Sequence, residues 1–210
     1  MSAPLVLASA SPRRRELLCD AGFDPQVLPS DIDDAILQRR MGSPEAFVTA
    51  LSWFKVSRVV ANHALRDAVV LGADTVCMDG SHMLGKPRDR RHAEQMLRSL
   101  QGRSHRVVTG VTIVGVDGTR HLFVDVATVE FGNISDALID EYVRSDAWRG
   151  KAGGYNFSER LNAGWPLRCD GDPTGVMGLP MQRTVPLLVQ LGAHRERQSR
   201  LRPMHGERSG

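Results

Sequence analysis

The 210 residues are 41% hydrophobic and 24% charged, enough apolar content to bury a full core in one large domain or two closely joined lobes. No apolar run reaches the roughly 18 residues of a membrane span, and the opening Met1-Ser2-Ala3-Pro4-Leu5-Val6-Leu7-Ala8 lacks the basic flank and length of a signal peptide, so the cytoplasm is the expected compartment. The three cysteines, Cys19, Cys77 and Cys169, are far apart and without metal-type spacing, which argues against a disulfide framework and against a zinc site.

The formal charge of +3 is concentrated at one end. From His194 onward Arg195, Arg197, Arg200, Arg202 and Arg208 stand against Glu196 and Glu207, which accounts for the whole excess and leaves the body neutral. The expected organisation is a single α/β domain over residues 1–193 and a basic, disordered tail over 194–210. A neutral body with 5% aromatic residues makes a poor stacking platform for nucleic acid. Arginine is the default cation, 24 against three lysines, so Lys55, Lys86 and Lys151 are either positions where a compact ammonium suits a phosphate oxygen or ones that escaped a compositional drift, and they become informative only beside motifs.

In chain order, Leu5 to Ala8 reads as a short buried strand, followed by a helix from Pro12 with Ser11 as N-cap, ending at Gly22. A second helix is expected from Pro44 or Glu45 to about Asn62, with Ser43 able to cap it and Phe47, Leu51, Phe54 and Val59 on its apolar side. Val69 to Ala73 reads as a strand covered on both faces, ending in the polar pair Asp74-Thr75 at a cleft. Asp79-Gly80 marks a hairpin, Asp89 to Leu100 a helix, and His105–Val116 and Thr119–Phe131 two strands meeting at Asp117-Gly118. A helix from Ser135 to Ser145 precedes a long Gly-rich loop, Gly150 to Gly178, whose length argues for a functional role. Pro180 opens a last helix that Pro186 should kink or restart.

Ser9-Ala10-Ser11-Pro12-Arg13-Arg14 places small hydroxyl residues and arginines at the mouth of a helix. There free N–H groups, the positive end of the dipole and guanidinium forks all favour phosphate, while the same residues also fit a capped helix with solvated arginines, and composition does not decide between the two. None of the seven histidines shows metal-type spacing or follows a nucleophile motif, so none is assigned a role, and Cys77 is expected to alternate into the core.

This opening resembles the signature of the Maf family of nucleoside triphosphate pyrophosphatases. Further matches follow in order: Ser30-Asp31-Ile32-Asp33-Asp34, Lys55, Gly72-Ala73-Asp74-Thr75-Val76, Gly85-Lys86-Pro87, Thr109-Gly110-Val111, Lys151-Ala152-Gly153-Gly154-Tyr155 and Val176-Met177-Gly178-Leu179-Pro180. The resemblance runs from residue 5 to about 192. It implies a twisted mixed sheet flanked by helices, two lobes with a central cleft as in inosine triphosphatases, and a homodimer. It implies hydrolysis between the α and β phosphates, with Asp74 accepting a proton from the attacking water. A carboxylate at the mouth of an apolar strand also suits a raised pKa.

Lys55 and Lys86, with Arg13 and Arg14, would hold the triphosphate and stabilise departing pyrophosphate, and Ser9, Ser11, Thr75 and Lys151 complete the substrate contacts. A divalent cation, Mg2+ or Mn2+, is expected with Asp34 and Asp74 as protein ligands. Arg15 lies past the motif and is expected to point elsewhere.

Two departures stand out. The family has Glu where this chain has the shorter Asp34, and Asp33 is a neighbour able to share its role. After Lys151 the family continues Ala-Gly-x-Tyr with Gly-Ile-Gln-Gly, whereas this chain has Asn156-Phe157-Ser158-Glu159, so Ser158 stands where a glutamine is associated with the base. Asn156, Asn162 or Trp165 could take over that recognition, although a Trp in such a loop more often anchors it to the core. The competing readings are a nucleotide-binding regulator of septum formation with weak catalysis, and a nucleic-acid-binding module using the basic tail.

Overall fold

Strand β1 (Leu5–Leu7) is wholly buried, and Ser11 caps the helix that follows, α1 (Pro12–Asp20), with Pro12 at its first turn. The computed structural model describes residues 2–32, 42–63 and 65–195. Strand β2 (Gln26–Val27) pairs parallel with β1, and β1 pairs parallel with β3 (Val69–Asp79). Between them in sequence lies α2 (Pro44–His63). Beyond β3 come β4 (His82–Leu84), α3 (Arg90–Leu100), the long antiparallel strands β5 (Arg103–Val114) and β6 (Arg120–Phe131), and α4 (Asp136–Arg144). The C-terminal part holds a short 3-10 turn (Ala152–Gly154), α5 (Phe157–Asn162), β7 (Leu167–Asp170), α6 (Pro173–Val176) and α7 (Met181–Gln190).

The strands form one seven-stranded mixed sheet in the order β2-β1-β3-β5-β6-β7, with β4 also on β3. Alternation along β3 and β5 assigns their side chains to the two faces. On one face Val70, Val76, Met78 and Val108 pack with Val48, Leu51, Val56 and Val59 of α2. The other face carries two separate cores. Val69, Leu71, Ala73, Val111 and Ile113 pack with Leu18 and Leu188, whereas Val107, Val129 and Phe131 pack with Leu97, Ile139, Trp148 and Trp165. Two lobes on one sheet, with polar Thr75 and Thr109 between them, are the expected architecture.

Four expectations need correction. Strand β3 does not stop at Ala73: it pairs with β5 from Val70 to Met78, so Asp74 and Thr75 lie within the strand. The segment from Gly150 to Gly178 is not a loop, because Asn156 caps α5 and β7 pairs with Thr128 to Phe131. Helix α7 runs from Met181 to Gln190 with Pro186 inside it and no restart. Finally, ordered structure passes the expected boundary at 193: His194 N donates to Ala3 O at 2.7 Å, and Arg195 Nε donates to Ala21 O at 2.8 Å. The remainder of the basic tail, residues 196–210, lies outside the described residues. Among the described residues no helix is long and apolar enough to cross a membrane.

Candidate active site

The site begins with a break in strand pairing. Strand β5 occupies one edge of β3 over nearly its whole length, so β1 and β4 share the other edge, β1 reaching as far as Leu71 and the antiparallel β4 covering Cys77 to Asp79. Among the described residues no strand covers the edge between them, and Asp74 and Thr75 sit in that break. A cleft of about 710 Å³ opens there, reached by Ser9 to Arg14, Lys55, Lys86 and Lys151. The strand-pair geometry therefore places the Asp74 carboxylate at the sheet's edge, within the strand rather than at its end.

Two glycines bring α2 close enough to complete it. A Cβ at Gly72 would lie 2.6 Å from Val56 Cγ2 and 3.1 Å from Ser52 O, and one at Gly110 would lie 2.5 Å from the Val48 carbonyl group. The helix backbone rests directly on the sheet, and a buried hydrogen bond at 2.9 Å between the Ser52 and Thr112 hydroxyls fixes its register. Lys55, next to Val56, is thereby held with its Nζ 2.6 Å from Asp74 Oδ1. Both side chains are largely out of solvent, 12% and 9% exposed, so the pair is an oriented unit rather than a surface contact.

Arg14 braces the opposite wall. Its Nε donates to Gly178 O at 2.8 Å, its guanidinium donates to Ser9 Oγ at 3.0 Å and to Thr75 Oγ1 at 3.1 Å, and the residue is buried. Thr109 Oγ1 donates to Gly175 O, so the Thr75 hydroxyl donates to Thr109 Oγ1 at 2.9 Å. The chain Arg14, Thr75, Thr109, Gly175 thus ties β1's exit, β3, β5 and α6 together. Thr75 and Arg14 line the cleft as expected, but these donors are directed at the protein, and they position the site's walls. Ser9 Oγ also accepts from Ser11 N, and Ser11 Oγ caps Arg14 N. Arg15 is exposed and does not reach the cleft.

Arg13, Lys86 and Lys151 present charge towards the cleft. Lys86 is exposed, and Arg13 and Lys151 both bond to Glu159, which sequence reasoning did not assign to the site. Ser158 does not line the cleft: its hydroxyl donates to Asn156 Oδ1 at 3.0 Å, drawn in by the start of α5. Asn156 replaces it. That residue is 4% exposed, lines the cleft, caps Glu159 N through Oδ1, and has no partner for Nδ2. Asn162 is exposed, Trp165 is in the core against Phe131 and Tyr142, and neither lines the cleft.

His105 was overlooked because its spacing to other residues carries no motif. It lines the cleft with its Nε2 and the Tyr155 hydroxyl 2.8 Å apart, and burial lowers its pKa to about 4, so the ring is neutral near pH 7. Cys77 also borders the cleft, but burial pushes its thiol up to about 12, and it cannot serve as a thiolate.

Magnesium bound with a nucleotide takes mostly phosphate oxygens and one or two carboxylates. Asp74 fits as one such ligand. Asp34 and Asp33 lie outside the described residues, and among the described residues no three acidic, histidine or cysteine side chains gather into a metal site.

An α/β sheet whose broken edge gathers a buried carboxylate, a helix mouth and several cations defines a protein that takes a phosphate-rich small molecule. The model of the Maf family, described as Maf-like protein, matches residues 4–191, and the chain belongs to that family. It is 41% identical over 189 residues to a dTTP/UTP pyrophosphatase of Caulobacter vibrioides, covering 90% of this chain and 95% of that one. A dTTP/UTP pyrophosphatase of Cupriavidus metallidurans is 39% identical over 201 residues, covering 92% and 100%. A solved nucleoside-triphosphatase (dITP/XTP pyrophosphatase) from Mycobacterium abscessus matches 62% of this chain and 75% of that one at 13% identity, with a TM-score of 0.37, too low to carry any inference.

Proposed function

We propose that the chain hydrolyses a nucleoside triphosphate to the monophosphate and pyrophosphate, with Asp74 taking the proton of the attacking water. The observation that supports this best is the Lys55–Asp74 pair in the open break of β3, with Arg13, Lys86 and Lys151 around it. A fixed carboxylate supplies general-base catalysis, worth about 10²- to 10⁴-fold, and the preplaced cations neutralise charge as it develops on the leaving pyrophosphate. Lys55 orients Asp74, while the bracing chain from Arg14 keeps β1's exit at a fixed distance from it. A bound divalent ion would supply further charge neutralisation on the phosphates, with Asp74, and Asp34 beyond the described residues, as the protein's ligands.

The relatives' names point to pyrimidine nucleotides, and a role for Asn156 at the base is supported by its place in the cleft and by its Nδ2, a buried donor without a partner. The same family resemblance supports a cytoplasmic homodimer that acts on free nucleotides rather than nucleic acid, in a house-cleaning role against noncanonical or modified nucleotides. Retention of Asp74 and all three lysines favours an enzyme over a catalytically silent regulator of septum formation.

The test is pyrophosphate release from a panel of canonical and modified nucleoside triphosphates with magnesium, comparing wild type with Asp74→Asn. Selective turnover that falls at least about 100-fold in the variant is expected. Nucleotide binding without turnover in the wild type would shift the assignment to the regulator.

A further inference from the structure

Glu159 stands at the third position of α5, behind the Asn156 cap that accepts from its backbone N at 3.0 Å. From there its carboxylate reaches back across the cleft mouth. Oε1 accepts from Arg13 at 3.1 Å and Oε2 from the Lys151 ammonium at 2.5 Å, so each oxygen neutralises a different cation. These cations come from separate parts of the chain: Arg13 from the first turn of α1 and Lys151 from the connection before the 3-10 turn. A carboxylate that bridges two cations of the cleft lining makes the kind of contact they would offer an anionic phosphate oxygen. Burial opposes its ionisation, but the hydrogen bonds from Lys151 and Arg13 outweigh that and hold it below the ordinary carboxylate range. At 41% side-chain exposure it is close enough to solvent to be displaced.

We infer that Glu159 is a tethered competitor for the phosphate-binding cations Arg13 and Lys151, displaced by the charge of an incoming polyphosphate and returning as pyrophosphate leaves. The inference rests on the pyrophosphatase reading for its role in turnover, but the competition itself exists without any reaction. An anion anchored beside its cations competes at an effective concentration in the millimolar range, whatever the bulk solution contains. Such a competitor weakens every anion that must displace it by a common factor, pyrophosphate as much as the triphosphate, whereas an anion held elsewhere in the cleft is unaffected. Glu159 therefore keeps pyrophosphate from being held tightly at Arg13 and Lys151 once the bond is cleaved, easing its release.

Calorimetric titration of inorganic pyrophosphate, and separately of inorganic phosphate, into wild type, Glu159→Gln and Glu159→Ala tests this directly. Glutamine keeps the side-chain length and the helix position while removing the charge. Both variants are expected to bind pyrophosphate about tenfold more tightly than wild type, the scale of two partly exposed ion pairs released together. In turnover, pyrophosphate inhibition should strengthen by the same factor. Equal or weaker pyrophosphate binding in both variants would overturn the inference and make Glu159 a support that holds Arg13 and Lys151 in place. Tighter binding by variants of a protein that turns over no nucleotide would keep the competition and discard the pyrophosphatase reading, and no pyrophosphate binding by any of the three would discard both.

Discussion

Replacing Gly110 with alanine probes the close seating of α2 that brings Lys55 to Asp74. The added Cβ would lie 2.5 Å from both Val48 C and Val48 O and 2.9 Å from Thr49 N, all backbone atoms that no rotamer change can move, whereas ordinary contact begins at 3.4 Å. The helix must therefore retreat by about 1 Å, at an overpacking cost of about 1–3 kcal/mol. That retreat carries Lys55 with it and stretches its 2.6 Å contact with Asp74 beyond hydrogen-bonding range. Misplacement of about 1 Å at a reacting centre lowers kcat by about 10- to 100-fold.

Urea unfolding and pyrophosphate-release kinetics on the same preparations would measure both effects. Ile113→Val, also on β5 but buried in the lobe packed with α7, serves as the control: it should cost about 1 kcal/mol with wild-type kcat. A Gly110→Ala enzyme with unchanged kcat, or with kcat reduced only as far as the control's, would refute the link between helix seating and the Lys55–Asp74 geometry.

Three further outcomes are expected. Asn156→Asp keeps the Oδ acceptor that caps α5 but removes the Nδ2 donor, so substrate ranking across a nucleotide panel should change while urea stability stays close to wild type. His105 has a folded pKa near 4 against an ordinary 6.5, so between those values the unfolded chain binds the extra proton. Stability is then full above pH 6.5 and declines towards pH 4, by on the order of 3 kcal/mol, and His105→Gln should remove that slope in urea titrations across the range. Trp165→Ala should cost about 3–5 kcal/mol by loss of core packing against Phe131 and Tyr142, without altering the order of preferred nucleotides in the folded fraction.

Local signals were strong in the sequence where one residue type has one physical use. Ser11 before Pro12, Asp89 before α3 and Ser135 before α4 each cap the helix that the pattern predicts, because a side-chain oxygen beside free N–H groups has few alternatives. The long strands β5 and β6 were equally legible, their ends marked by Asp117-Gly118. The motif residues Arg13, Lys55, Asp74, Lys86 and Lys151 do converge on one cleft, as the family resemblance implies.

Long-range packing decided the rest. Elements as short as α5 and β7 have too few residues for a period to show, and β7 exists because Thr128 to Phe131 offer it an edge. The cleft itself is a property of pairing: β1 and β4 share an edge of β3 without meeting, and no single segment encodes the break between them. For the same reason Asn156 and His105 reached the cleft, and Glu159 met Arg13, 146 residues away in sequence. The sequence by itself determined which chemistry was available and where the helices begin, since those depend on neighbouring residues. Which donors remain for substrate, and which are spent on bracing, depended on contacts such as Arg14 to Gly178, which only the folded chain brings together.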